Sequence, residues 1–367
     1  MRLSTDVLVV GGGPAGLAAA IALRKKGLSA IVVDAAKPPI DKACGEGLLP
    51  NTLAALRELG IYIESEDGES FQHICFIDGE ISATADFPGV SGIGVRRTLL
   101  HQKMAVRAEE CGVDLLWNTP VTSVTQEGAI AGEKSIRAKW IVGADGIHSR
   151  VRRWGGLDAA LNPEWRFAQR RHYRAKVLTD CVEVYWGRTQ AYVTPLAHEE
   201  TCVVLISRDP VMHFSEALRE FPKLAGSLRN AELSTVQRGA VTVARRLDRV
   251  CRKNIALVGD ASGSVDAISG EGLGLSFRQA LALADALKAG DLEKYQSAHQ
   301  RLARRPHFMS RLLLLLDACP PLRRRVLLGL AKDAALFSRL LMAHVAETSP
   351  AFLAETSARL GWRLIAE

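Results

Sequence analysis

No apolar run in this sequence approaches the roughly 18 residues a membrane-spanning helix needs. The greasiest stretch, Leu312 to Leu316, is stopped by Asp317 and then by Pro320-Pro321. A membrane-spanning enzyme is therefore not expected. The seven cysteines (44, 75, 111, 181, 202, 251 and 319) form no Cys-x-x-Cys pair and no Cys/His spacing suited to a metal. An odd number without framework spacing reads as reduced thiols in a cytoplasmic protein, not as a disulfide scaffold or a metal site. The opening MRLSTDVLVVGGG lacks a basic-then-apolar leader, so no secretory signal is expected. Aromatic residues are only 6%. No basic motif interleaved with aromatics is present, so nucleic acid is not an expected partner.

What is present is an ordinary globular composition. The chain has 367 residues, 48% hydrophobic and 24% charged, with a mean hydropathy of +0.06. That excludes global disorder and suits two interleaved domains, or one domain with a cap. The net charge is +7, and residues 301–367, with 11 Lys/Arg against 5 Asp/Glu, carry +6 of it.

The first forty residues carry the clearest signal. Asp6 to Val10 is a short β-branched run, read as a buried parallel strand. It enters Gly11-Gly12-Gly13-Pro14-Ala15-Gly16, followed by an apolar-periodic helix that ends at Gly27. A second strand, Ala30 to Val33, ends in Asp34. Gly11 allows the tight turn, Gly13 lets backbone approach a pyrophosphate, and Gly16 lets helix and strand pack closely. The helix start offers free N–H groups to phosphate oxygens. Asp34, 18 residues past Gly16, is placed to accept hydrogen bonds from a ribose diol. These residues leave FAD and NAD both open.

Two later segments discriminate. Trp140 to Arg152 is an apolar strand ending in Asp145-Gly146, and Asn254 to Ala261 is another ending in Gly259-Asp260. The second continues through Ser269-Gly270-Glu271-Gly272-Leu273-Gly274 into a helix expected from about Leu275 to Leu287. In this order the three elements resemble the glutathione-reductase-2 type of FAD-binding fold, shared by para-hydroxybenzoate-hydroxylase-like (group A) flavin monooxygenases and geranylgeranyl reductases. The resemblance covers about residues 1–60, 92–155 and 248–290. It implies an α/β, Rossmann-like FAD-binding domain, an interleaved antiparallel-sheet substrate domain and a C-terminal helical extension. It also implies FAD as cofactor and NAD(P)H as transient reductant.

Carried over position by position, the resemblance assigns Gly11, Gly13, Pro14, Ala15, Gly16 and Asp34 to the adenine end of FAD. Asp145 matches an Ala-Asp-Gly motif, and Gly259 with Asp260 matches the segment that binds the ribityl chain. Arg97 aligns with an arginine that begins a helix near the cofactor, with Arg96 as the alternative register. The glycine-rich helix start at Gly270, Gly272 and Leu273 is expected at the flavin N1/C2=O edge, where free N–H groups would stabilise reduced flavin. There is no second GxGxxG, so a dedicated NAD(P)H domain is not expected.

The expected domains are discontinuous. Residues 1–73, 92–155 and 248–295 form the FAD-binding domain, 74–91 and 156–247 the substrate-binding sheet, and 296–367 the extension. In the middle region, Val182 to Trp186, Ala191 to Thr194 and Thr201 to Ser207 read as an antiparallel meander. Tyr185, Trp186, Tyr192 and Pro195 are its candidate substrate-wall residues, each with ordinary sheet packing as the plainer reading. Gln190 to Pro195 keeps only one aromatic and the proline of the Tyr-x-Trp-x-Phe-Pro motif of the geranylgeranyl reductases.

Lys42-Ala-Cys-Gly-Glu-Gly-Leu48 resembles a Cys-Gly segment of those reductases. Cys44 and Gly45 are expected beside the flavin, and Cys44, Glu46 and Glu271 are the candidate catalytic groups. Cys44 is read as a chemical participant, as a residue merely near the flavin or substrate, or as a packing residue. Residues 296–367 read as helices with basic heads and greasy bodies. They are expected either to pack on the cap or a second subunit, or to touch a membrane surface peripherally. The leading expectation is an FAD-dependent hydroxylase or epoxidase acting on a lipophilic aromatic or unsaturated small molecule with NAD(P)H and O2. The alternatives are a reductase saturating C=C bonds and, in a different class, a non-catalytic flavoprotein. A flavin halogenase is disfavoured, since no Trp-x-Trp-x-Ile-Pro stretch occurs.

Overall fold

The structure is a computed structural model that describes residues 2–158, 164–175, 180–346 and 349–366. Arg2–Val10 is an inner strand of the first sheet, and its last four residues are all buried. Such a run offers no face to water and belongs between two helix layers. The strand order is Cys251–Arg252, Ile255–Leu257, Lys134–Gly143, Arg2–Val10, Ala30–Val33, Asp114–Leu116. All neighbours are parallel except the first pair. A hairpin of Val121–Thr125 and Gly128–Ala131 adds to the Lys134–Gly143 strand.

Helix α1 (Pro14–Lys25) starts directly after the glycine turn, with proline in the first turn where a missing N–H is harmless. Helices α2 (Pro50–Leu59), α3 (Arg97–Glu110) and the short α4 (Arg150–Trp154) follow. Short helices α5 (Phe214–Leu218) and α6 (Pro222–Ser227) precede α7 (Gly272–Ala289), which packs along α1. The chain ends in α8 (Leu292–Ala318), α9 (Pro320–Lys332), α10 (Ala334–Val345) and α11 (Pro350–Ala366). No helix among the described residues is long and apolar enough to cross a membrane.

The second sheet runs Glu232–Leu233, Arg166–Arg174, Glu200–Ser207, Gln190–Leu196, Cys181–Tyr185, His73–Asp78, Ile81–Asp86. Arg238–Thr242 also pairs with Arg166–Arg174. The expected antiparallel meander is present, but its junction with the early segment, Cys181–Tyr185 on His73–Asp78, is parallel. No hairpin links those two strands, so nothing forces opposed directions. Alternation then splits the sheet. Tyr185, Ala191, Val193, Val203 and Leu205 pack with Phe214, Phe221 and Leu224 of α5 and α6. Ile74, Phe76, Val182, Val184, Tyr192 and Ile206 face a cavity roofed by α8 to α11.

Candidate active site

A single cavity of about 830 Å³ takes its walls from both sheets and from the C-terminal helices. One part of its lining is the glycine turn. Gly11 adopts φ +111°, and a Cβ there would meet Ala144 O at 2.4 Å; one on Gly16 would meet Gly11 O at 1.8 Å. These two positions need glycine for the turn and the packing. Gly13, Gly45 and Gly272 differ: all three line the cavity, yet a Cβ on any of them has nothing within 4 Å. The protein's own atoms do not explain those glycines, whereas a ligand lying against the backbone does. No side chain caps the N-terminus of α1 or of α7, so N–H groups at both helix starts are left for an anionic partner. The cavity residues therefore fit FAD.

The acidic residues are held in place. Asp34 accepts from Gly12 N at 2.6 Å and from Ala36 N at 2.7 Å. His101 is buried beneath the turn, with Nε2 donating to Gly12 O at 2.9 Å. Burial pushes its proton affinity down, which suits the neutral ring. Asp145 lines the cavity while accepting from Ser149 Oγ, Arg150 N and Val151 N at 2.5, 2.7 and 3.1 Å, so it also caps α4. Asp260 lies 3.4 Å from Lys42 Nζ. Arg97 faces the cavity and its Nε has no hydrogen-bond partner among the described residues. Arg96 turns the other way, 3.4 Å from Glu200, so Arg97 is the register that reaches the cavity.

Glu46 has a different role from the one its sequence position suggests. It is 3% exposed and sits at φ +60°. One oxygen accepts from Arg97 N at 3.0 Å and Arg170 Nη1 at 3.2 Å, and the other from His172 Nε2 at 2.7 Å. Arg170 also grips Asp41 at 2.8 and 3.0 Å. Burial opposes ionisation of Asp41, but Arg170 and Arg238 overcome it and hold its carboxyl below the usual range. Thr194 Oγ1 donates to Gly45 O at 2.8 Å, and Glu46 N donates to Cys44 Sγ at 3.4 Å. Glu46 is thus a strut that fixes the Cys44-Gly45 loop against the cavity. Glu46, His172 and Cys202 lie close enough together to suggest a metal. The Arg170 guanidinium already supplies the positive charge there, and burial pushes the Cys202 thiol well up.

The remaining lining is aliphatic. Leu312, Leu313 and Leu316 of α8, Val326 and Leu330 of α9 and Leu341 of α10 close over the sheet. Tyr192 lies on this wall; burial pushes its hydroxyl far above the ordinary range. Its oxygen has no partner among the described residues.

Four candidates from the sequence do not line the cavity. Tyr185 is on the far face, bonded to Glu183 at 2.6 Å and packed on Phe221, because alternation puts it out of phase with Tyr192. Pro195 shares the parity of Ala191 and Val193 and does not line the cavity. Glu271, 1% exposed, is not part of the lining and lies 3.6 Å from both Arg278 Nη2 and His344 Nδ1. Trp186 packs edge-on against Phe76 behind the wall.

Several positioning groups gave little sequence signal. Arg166 makes a buried 2.6 Å ion pair with Asp266 and ties the second sheet to the Gly270 loop. Arg170 and His172 follow on the same strand. His344, from α10, reaches back to bond Ser269 O at 2.8 Å. The polar positions 166, 170 and 172 all share one parity of a largely buried strand, and that regularity was the available clue.

A parallel sheet with a ligand-accepting glycine turn, joined through one cavity to an apolar chamber, defines an FAD-dependent oxidoreductase. The chain belongs to the FAD binding domain family, which its sequence matches over residues 4–290. NAD(P)H is the reductant typical of that family. The chain is 28% identical over 332 residues to the menaquinone reductase of Mycobacterium tuberculosis (strain ATCC 25618 / H37Rv), covering 79% of this chain and 78% of the relative. It is 27% identical over 307 residues to digeranylgeranylglycerophospholipid reductase 1 of Methanococcoides burtonii, covering 74% and 72%. The crystal structure of p-nitrophenol 4-monooxygenase from Pseudomonas putida DLL-E4 shares the fold, with a TM-score of 0.78 at 18% identity over 95% of this chain and 100% of that one.

Proposed function

We propose that this oxidoreductase saturates a carbon–carbon double bond in a long, mainly apolar substrate of the isoprenoid class. One observation carries the reading. The aliphatic chamber opens onto the glycine cradle, and its wall carries no carboxylate: Asp34, Asp145 and Asp260 belong to the cradle, Glu46 is bonded by Arg97 N, Arg170 and His172, and Glu271 is not among the lining residues. A phenol hydroxylase needs a base within reach of the hydroxyl. A double bond needs instead an electron pair and protons in a water-poor chamber. Two of the relatives, reductases named for menaquinone and for a digeranylgeranyl lipid, support the same class.

When bound, FAD supplies the electron pair it receives from NAD(P)H. The chain's residues do the rest. Gly11, Gly13, Pro14 and Ala15 would hold the pyrophosphate and Asp34 the adenosine ribose, with Asp260 beside Lys42 on the ribityl side. The start of α7, at Gly272 and Leu273, would face the reduced ring with unbonded N–H groups. The roof helices keep water out. Cys44, fixed by the Glu46 strut, holds the proton for the second carbon, and Tyr192 offers its hydroxyl to a polar group of the substrate.

The monooxygenase reading keeps one observation in its favour: a chamber with an aliphatic lining beside the same cradle also suits oxygen transfer. Product mass separates the two. Incubated anaerobically with NAD(P)H and a panel of prenylated lipids, the holoenzyme should yield a product heavier by about 2 Da. A product heavier by about 16 Da, formed only with O2, would overturn the reductase reading.

A further inference from the structure

The roof helices have two faces, and only the inner one is accounted for by the chamber. On α8 from residue 301 onward, the exposed residues are Arg301, Arg304, Phe308, Arg311, Leu315 and Ala318. Spacings alternating between three and four place them on one continuous stripe. On α9 the exposed set includes Arg324, Arg325 and Leu328. The inner faces of both helices line the same chamber, so the two stripes look outward together. Phe308 is 64% exposed, Leu315 52% and Leu328 40%. Residues 301–332 contain a single carboxylate, Asp317, and it is buried against Arg208. Over residues 301–332 the outer surface therefore carries five exposed arginines, three exposed large apolar side chains and no exposed acid.

We propose that the outer face of α8 and α9 docks on an anionic phospholipid surface. Interleaving decides between partners. Arginine alone suits any polyanion, but Phe308, Leu315 and Leu328 are desolvated only by an apolar phase, which the acyl boundary of a bilayer supplies and a nucleic-acid backbone does not. Arginine stems lie along that boundary while their guanidinium groups stay among the phosphates. Each such cation contributes about five-fold to partitioning near an anionic leaflet. This deepens the proposed function and rests on it in one respect, that the chamber behind the face takes a lipid-like substrate. The docked face would place the chamber roof against the phase where such a substrate resides.

The test is vesicle flotation of the FAD-loaded full chain. It should rise with phosphatidylglycerol-containing vesicles at low salt, stay down with phosphatidylcholine alone, and be released by high salt. Arg324→Glu with Arg325→Glu should cut the floated fraction at least ten-fold, and Phe308→Ser with Leu315→Ser should do the same. All four residues are exposed and outside the cavity lining. The variants should therefore keep bound flavin and its absorbance, which separates lost docking from lost folding. A wild-type chain that stays down with anionic vesicles overturns the proposal. So does binding to duplex DNA that survives Phe308→Ser with Leu315→Ser, or a solution dimer broken by those two changes. If flotation succeeds while no prenylated lipid is turned over, the docking face stands and the substrate reading falls.

Discussion

Acid should destabilise this protein through His299, and the structure sets the size of the effect. Gln279 Oε1 accepts the Gly259 N–H at 3.0 Å, so its amide nitrogen faces the other way and donates to His299 Nε2 at 3.0 Å. Ser262 Oγ, 2.9 Å from the same nitrogen, donates to Gly259 O. His299 Nε2 is therefore an acceptor, and a proton there would set two donors against each other. Burial first, and His307 second, push the ring from 6.5 to about 4. The unfolded chain takes up this proton near 6.5 and the native chain only near 4. Stability is thus full above that window, falls as pH drops through it, and levels off below. At about 1.4 kcal/mol per pH unit the loss is about 3 kcal/mol. His101 and His307, also pushed down by burial, add in the same direction. Because Ser262 and Gln279 both hold Gly259, next to Asp260, bound FAD should loosen together with the fold. Urea unfolding at steps between pH 7.5 and 4.5, on wild type and His299→Gln, measures the effect. A wild type whose stability falls no more steeply than the variant's would show that His299 is not the group responsible.

Four further outcomes follow from the site. Gly13→Val places a side chain in open cavity space, so circular dichroism should match wild type while the purified protein is colourless. Gly11→Val drives its Cβ into Ala144 O and should yield little folded protein, a contrast that expression and melting measure together. Arg170→Met strands the buried Glu46 and should cost about 3–5 kcal/mol in urea unfolding, with loss of flavin. Tyr192→Phe removes a buried hydroxyl that has no partner among the described residues, so stability should hold or rise by about 1 kcal/mol, while KM rises about ten-fold for a substrate with a polar end.

The cofactor half of the site was legible because its contacts are short-range in sequence. A strand, a glycine turn and a helix start follow one another without interruption, and they present backbone, whose chemistry glycine announces. Gly13, Asp34, Asp145, Asp260 and Gly272 all reach the cavity for that reason. The substrate half is built from side chains contributed by distant segments. Asp41, Glu46, Arg170 and His172 meet only once the second sheet lies over the Cys44 loop. Alternation told which strand residues share a face, but not which face meets the cavity, and so Tyr185 and Pro195 fell on the wrong side. Glu271 illustrates the same gap: its place at a helix start was readable, while its turn toward Arg278 and His344 depends on α10 arriving from far along the chain.

The roof of the chamber is carried by one continuous stretch, Leu292 to Ala366, that follows the segment matched by the family. The part that grips the cofactor and much of the part that shapes the reaction space are thus successive lengths of chain. Lengthening or refilling the terminal helices would tailor how bulky a molecule is admitted while leaving the redox apparatus as it is. Selectivity here is a modular property, open to change at the end of the chain without rebuilding its beginning.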